Sequence, residues 1–533
     1  MGTVTRRGFV AGTTAAGLGV ITGAGGAAAA TGGGTGFGPV TVRPSDPRYA
    51  SLTGGYNYRF LGSPDYYRLA GSAAQVEQAV GEALRAGRRL AVRSGGHCLE
   101  GFVNNPGVDA VIDLGEYSGV YFDATRSAFA VEAGATLGQV YDTLYRGWGV
   151  TVPGGVCPQV GVGGHVAGGG YGALSRLFGL VVDHLAAVEV VVVGADGTPR
   201  TVVATADPAD PRHDLWWAHT GGGGGNFGIV TRYWLRSPGA SGTDPAALLP
   251  APPATILFSQ ISWPWSALTE TSFTRLVDNF NRWHEANSAP GSPYASLFAT
   301  LWLNHVRTGN PALTVQLDGA RPDARTLLAD FVAAITDGVG VAAVPVTGEL
   351  PWLPAKNRLG FADFGAGVGK RVKNKSSYLR TGYDPEQLAA IHHHLTRTDY
   401  PGTSASILLA SYGGAINAVT PAATAIPQRD SIIKAQYSVS WTDPAEDTVH
   451  IGWARDLYED LFAATGGAPV SGPVSDGAYI NYPDTDLADP ARNTSGVPWY
   501  TLYYKDNYAR LQAVKRTWDP LDVFRHDLSV RPS

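Results

Sequence analysis

The chain has 533 residues, 44% apolar and 16% charged, a globular balance that excludes a disordered protein and leaves room for two or three domains. Its 40 Lys and Arg against 45 Asp and Glu leave a net charge of −5, which carries neither a basic nucleic-acid footprint nor an acidic tail. The 69 glycines fall in clusters without a period, which excludes collagen, and 2 cysteines exclude a disulfide scaffold. The only methionine is the initiator; a Met-free mature protein resists peroxide, although biased genome composition explains it equally well.

In chain order, Thr5-Arg6-Arg7-Gly8-Phe9-Val10 opens a small-residue run ending in Ala28-Ala29-Ala30. Paired arginines, a short apolar region and an A-x-A end read as a twin-arginine signal with its linker over residues 1–34, hence an exported, extracellular protein. The alternative is a disordered basic tail. Beyond it no stretch of about 18 residues is apolar and uncharged, so no stable membrane insertion is expected.

Ser72-Ala73-Ala74-Gln75 is a capping box, followed at helical spacing by Val76, Ala79, Val80, Ala83 and Leu84. Residues 90–93 read as a strand running into Ser94-Gly95-Gly96-His97. A second unit repeats the logic: strand 129–133, then a helix capped by Thr136 and Gln139 with Leu137, Val140, Tyr141 and Leu144 as its stripe. Strands 188–193 and 200–203 flank Asp196-Gly197 as a hairpin. After a Pro/Ala-rich linker at 245–253, strands 256–261, 296–303 and 404–411 and helices 326–335 and 386–395 predict an antiparallel sheet with helices on one face.

Three glycine-rich clusters carry the chemistry. The first is Arg93-Ser94-Gly95-Gly96-His97-Cys98. The second runs from Pro153-Gly154-Gly155-Val156-Cys157-Pro158 through Gly161-Val162-Gly163-Gly164-His165 to Gly168-Gly169-Gly170-Tyr171-Gly172. The third is Gly221 to Gly225 with Asn226-Phe227-Gly228-Ile229-Val230. Without a Rossmann fingerprint or a Walker lysine, three such clusters point to an extended ligand lying along the backbone.

On these motifs, with Tyr479-Ile480-Asn481-Tyr482-Pro483-Asp484 and the run from Asn507-Tyr508 through Trp518-Asp519-Pro520 to Phe524-Arg525, the chain resembles the berberine-bridge-enzyme-like branch of the vanillyl-alcohol-oxidase flavoproteins. The resemblance implies an α+β fold: a PCMH-type FAD-binding domain of two α/β subdomains at 35–238, a substrate domain with a large antiparallel sheet covered by helices at 239–477, and a closing segment at 478–533. It implies FAD bonded to His97 through the 8α-methyl and to Cys157 through C6. The other cofactor contacts it implies are Arg93, Ser94, Gly95, Gly96, Gly161, Gly163, Gly164, His165, Gly169, Gly170, Gly225, Asn226, Gly228, Ile229, Val230, Asn481 and Tyr482. His165 is expected to orient a loop. A structural Cys98–Cys157 disulfide competes with the flavin link; otherwise Cys98 is a free, buried thiol.

Such an enzyme takes hydride from an alcohol or hemiacetal carbon to flavin N5, with a base for the hydroxyl proton and O2 returning the flavin with peroxide. Tyr482 is the expected base, although an unperturbed phenol titrates near ~10. Tyr412 and Tyr171 match tyrosines of antibiotic-oxidising relatives, against the background that most of 24 tyrosines are packing or surface. The expected substrate is a small molecule, the sugar of a glycosylated secondary metabolite or an oligosaccharide. A dehydrogenase with another acceptor, and a binding protein that has lost its flavin, are the alternatives. The oligomeric state is open. His392-His393-His394 reads as a solvated helix face with no metal, since consecutive helical positions diverge. Trp216-Trp217 reads as core, and Asp113, Glu132 and Asp183 as structural.

Overall fold

The computed structural model describes residues 37–342, 344–359 and 369–532, which fall in one contact unit. The export-signal segment, 1–34, lies outside the described residues.

The first sheet contains β1 (Val40–Val42), β2 (Tyr66–Leu69), β3 (Leu90–Arg93) and β4 (Ala110–Asp113) in the order β1-β2-β4-β3. Both neighbours of β4 run parallel to it, so the β2-to-β3 connection must cross over, and helix Ala73–Arg85 supplies the crossover. The predicted stripe of that helix faces the core. Only half of the capping box forms. Ser72 Oγ accepts from Gln75 N at 3.3 Å, but the Gln75 side chain takes the N–H of Gly71.

The second sheet, β5 (Val120–Asp123), β6 (Ala128–Glu132), β7 (Leu185–Val193), β8 (Pro199–Thr205) and β9 (Ile229–Leu235), is antiparallel in the order β5-β6-β9-β7-β8. Here the capping box is complete: Thr136 and Gln139 satisfy each other's backbone at the start of helix Leu137–Trp148. The predicted hairpin is β7–β8.

The third sheet is antiparallel throughout: β10 (Thr255–Ser262), β11 (Phe298–Asn304), β12 (Ala312–Asp318), β13 (Val346–Pro351), β14 (Arg371–Leu379), β15 (Ala405–Ser411) and β16 (Ile433–Trp441), in the order β13-β10-β12-β11-β15-β16-β14. Helices Glu270–Asn287, Ala324–Thr336, Pro385–Thr396 and Asp447–Leu461 pack along it. Alternation divides β16: Tyr437 packs on Tyr458 of the last of these helices, so Lys434 and Gln436 point the other way. That other face becomes one wall of the cavity described below.

The histidine triplet departs from its expectation. Its side chains do diverge, but only His393 is exposed. His394 is buried with Nε2 2.7 Å from an Asp460 carboxylate oxygen, and His392 packs on Phe273, because the helix lies between two neighbours. Asp113 pairs with Arg93 at 2.6 Å, Glu132 accepts from Gly119 N at 2.7 Å, and Asp183 pairs with Arg429 at 2.7 Å, all structural roles. Trp217 is core.

The C-terminal segment docks through one buried ammonium. Lys515, on helix Tyr508–Trp518, donates to Asn226 O at 2.7 Å, Phe524 O at 2.6 Å and Asp519 Oδ2 at 2.6 Å, and neither member of the ion pair is exposed. Removing one partner of such a pair strands the other without water. Lys515→Met is therefore expected to cost about 3–5 kcal/mol of stability, read as a lowered unfolding midpoint in denaturant.

Candidate active site

A cavity of about 360 Å³ opens among the three sheets, walled by all three glycine clusters, by the third sheet and by the 479–483 segment. Its floor is a contact between two loops. The first cluster leaves β3 and meets the second at Gly95 and Gly161, where an added Cβ on Gly95 would stand 2.4 Å from Gly161 N and one on Gly161 2.2 Å from Gly95 N. Only glycine permits that approach. Ser94 Oγ donates to Ala133 O at 2.6 Å and Gly163 N to the same oxygen at 3.0 Å, tying both loops to the end of β6. Arg93, held by Asp113, braces the first loop from below.

Most of the expected cofactor contacts line the cavity: Arg93, Ser94, Gly95, Gly96 and His97 from the first cluster; Cys157, Gly161, Gly163, Gly164 and His165 from the second; Gly225, Asn226, Gly228 and Val230 from the third; Asn481 and Tyr482 from the closing segment. Gly169, Gly170 and Ile229 do not line it. The first two pack against Ile426 and Val181, and Ile229 is buried in the core around β3 and β4. Tyr412 is also absent from the lining. It is fully buried behind Tyr171, ring centroids 5.4 Å apart, and its hydroxyl donates to Gln428 O at 3.1 Å. Its place at the end of β15 turns it into the layer beneath the wall.

His165 does orient loops: its Nε2 accepts from Gly155 N at 3.1 Å, and its carbonyl accepts from Asn481 Nδ2 at 2.9 Å. Burial pushes its pKa down to about 4, which keeps the ring neutral and able to accept. Asn226 holds the third cluster, donating to Gly222 O at 2.9 Å and accepting from Val530 N at 2.8 Å.

The walls suit an FAD. Gly164 would meet nothing within 4 Å if given a Cβ, and Gly224 would meet only Gly164 Cα at 3.9 Å, so two bare backbone surfaces flank open space. Leu90, Val92, Leu114 and Phe524 add an apolar slot. His97 lies against Tyr56, ring centroids 4.9 Å apart, and burial pushes its pKa down to about 4. It is thus a neutral imidazole able to act as a nucleophile. Cys157 is a free thiol on the same cavity wall, as is Cys98. The two are not joined. Cys98 is partly buried, with Sγ 3.2 Å from Glu100 O.

The same cavity lining carries tyrosines around a cation. Lys434, 4% exposed, lies 4.1 Å over the Tyr482 ring, 4.5 Å over Tyr171 and 4.7 Å over Tyr479. Among the described residues no carboxylate reaches it within 4.0 Å. Burial pushes Lys434 down to about 7 and pushes Tyr482 and Tyr171 up. Beside Lys434, Gln436 Nε2 donates to Asn374 Oδ1 at 3.1 Å, and both amides line the cavity. Tyr482 is fixed from behind: Asp484 accepts from Lys373 and Lys375 at 2.6 Å each, and Lys373 also reaches Glu100 of the His97 loop at 3.3 Å.

Sequence reasoning missed Lys434, Gln436 and Asn374. The alternation of 433–441 was the available signal, but polar residues at every second position read as a solvated strand face. The cradle itself can be tested at two glycines. Gly161→Ala is expected to separate the loops and abolish flavin binding, whereas Gly164→Ala keeps the apoprotein's unfolding temperature and lowers flavin occupancy. The ratio of flavin to protein absorbance and a thermal melt measure the two.

Comparison with known proteins agrees with this geometry. The family described as "FAD binding domain" matches residues 64–202, and that described as "Berberine and berberine like" matches 478–531. Aclacinomycin-N/aclacinomycin-A oxidase of Streptomyces galilaeus is 53% identical over 545 aligned positions, covering 99% of this chain and 98% of that protein. Hexose oxidase of Chondrus crispus is 31% identical, covering 91% and 93%. Among solved structures, CrmK, a flavoenzyme of caerulomycin biosynthesis, superimposes with a TM-score of 0.91 at 53% identity, covering 93% of this chain and 99% of that one. Glycopeptide hexose oxidase DBV29, complexed with teicoplanin, gives 0.89 at 50%, covering 93% and 99%. The chain therefore belongs to the berberine-bridge-like family of FAD-binding oxidoreductases.

Proposed function

We propose that this protein is an FAD-dependent oxidase acting on an alcohol or hemiacetal carbon in the sugar of a glycosylated secondary metabolite, with FAD bonded to both His97 and Cys157. The observation that carries the reading is one cavity lined by those two nucleophiles together with Tyr482, Tyr171 and Lys434. The relatives named as oxidases of aclacinomycin, hexose and glycopeptide support the substrate class.

Bound FAD supplies the hydride acceptor, and dioxygen its reoxidation, with hydrogen peroxide as by-product. The chain's own residues supply the proton chemistry. Tyr482 takes the proton of the reacting hydroxyl. Burial alone opposes a phenolate there, but the Lys434 ammonium over the ring face favours it, and in a poorly solvated wall each charge stabilises the other. Tyr171, whose hydroxyl donates to Ser411 O, presents a fixed neutral phenol to the substrate side. The Asn374–Gln436 pair offers a donor and an acceptor together, which suits a hydroxyl that both gives and takes a hydrogen bond.

Tyr482→Phe is expected to lower kcat by about 10²–10⁴ while the protein stays yellow. Lys434→Met removes the charge that lowers the phenol's apparent pKa. The base is active when deprotonated, so the rising acid limb of kcat/KM moves to higher pH; a pH–rate profile that stays in place would refute the role given to Lys434.

The covalent links are read by acid precipitation. Yellow is expected in the wild-type pellet and in each of His97→Ala and Cys157→Ala, and in the supernatant for the double variant; colour in the wild-type supernatant would mean non-covalent FAD. The Arg6-Arg7 start supports export as part of this proposal. The same yellow protein is then expected in the medium, and in the cells once both arginines are changed to lysine.

A further inference from the structure

Cys157 stands among groups that the oxidation of substrate does not use. Two residues before it, Gly155 O accepts from Tyr141 OH at 2.7 Å, and the Tyr141 ring carries Lys356 Nζ 4.0 Å above its face. Tyr141, Gly155, Val156 and Lys356 together line a small second cavity of about 50 Å³ behind the Cys157 loop. Lys356 comes from helix Trp352–Leu359, is half-buried, and has no carboxylate within 4.0 Å among the described residues. Among the described residues this half-buried ammonium forms no salt bridge and is held over the ring that fixes the Cys157 loop.

We propose that Lys356 is a positioning residue for Cys157, generating and holding the thiolate that makes the second covalent link to the cofactor. The inference rests on the reading of Cys157 as a flavin attachment site. The thiolate is the nucleophilic form of cysteine, and a neighbouring cation is the usual means of obtaining it. Burial pushes the Cys157 thiol up and Lys356 down to about 8, and each acts on the other's charge in the compensating direction. The Lys356 ammonium thereby favours the Cys157 thiolate over the thiol. The backbone N–H groups of Gln159 and Val160 also turn toward the sulfur. The other groups in reach are Asp142 from helix Leu137–Trp148, which favours the ammonium, and the neutral phenols of Tyr56 and Tyr141.

The step balances without further reagents. One S–H and one aromatic C–H bond are replaced by one S–C bond, and the two electrons and two protons reduce dioxygen, the co-substrate of the proposed oxidase, to hydrogen peroxide. His97 stacks on Tyr56, and among the described residues no cation acts on its ring, so its own attachment is expected to be independent of Lys356.

The test needs no substrate. The wild type, Lys356→Met, Lys356→Gln and Lys356→Arg are purified, denatured and alkylated with iodoacetamide, and the Cys157 peptide is quantified by mass spectrometry as flavin-linked or alkylated. Acid-stable colour from His97 reports that each variant folded and loaded FAD. The expected result is full linkage in the wild type, at least ten-fold more alkylated Cys157 in the two neutral variants at equal His97 colour, and restored linkage in Lys356→Arg. Full and equally fast linkage in either neutral variant would overturn the proposal. A wild type with Cys157 wholly alkylated but His97 coloured would overturn it together with the second link, leaving the FAD oxidase reading in place. A colourless wild type would remove that reading as well.

Discussion

The contact of Gly95 with Gly161 is the constraint on which the site depends. Two loops from different sheets approach until there is no room for even a methyl group between them. That approach leaves their amides and bare Cα atoms along one side of the cavity, and it fixes the spacing between His97, two residues beyond one glycine, and Cys157, four residues before the other. The remaining scaffold maintains this contact. Ser94 and Gly163 share the carbonyl of Ala133, Arg93 leans on Asp113, and His165 links the Cys157 loop to Asn481.

Charge in this molecule is buried where separate pieces of chain must meet. Lys515 joins the C-terminal segment to the third glycine cluster, and Lys373 and Lys375 join β14 to Asp484 and, through Glu100, to the His97 loop. Buried ion pairs of this kind contribute little net stability, yet they are costly to break singly. Their placement therefore fixes register between elements: Tyr482, two residues before Asp484, has one position relative to the sheet.

Lys434 departs from this pattern, because its neighbours are rings and not carboxylates. A cation with no compensating anion in a wall of phenols is poised to lose its proton, and a phenol in the same wall resists losing its own. Each defect offsets the other, since a phenolate beneath the ammonium satisfies both. In the proposed mechanism this pairing is what suits Tyr482 to act as the base.

Adjacent residues alone make legible the glycine clusters, His97 and Cys157, the caps of two helices and the closing segment with Tyr482. These are local in nature: a close backbone approach demands glycine, a helix start demands a capping oxygen, and both are written in adjacent residues. Which polar residues line the cavity depends instead on how distant elements pack. Lys434 and Gln436 alternate with Ile433, Ala435 and Tyr437 as solvent-facing residues do, Asn374 sits between two lysines, and nothing local distinguishes a cavity from bulk water. Tertiary packing also moved Tyr412 behind the wall, buried His394 against Asp460, and brought Lys356 and the Cys157 loop to one small cavity, Lys356 being 199 positions beyond Cys157. Those outcomes depend on which face of an element meets which neighbour, and periodicity alone does not encode that.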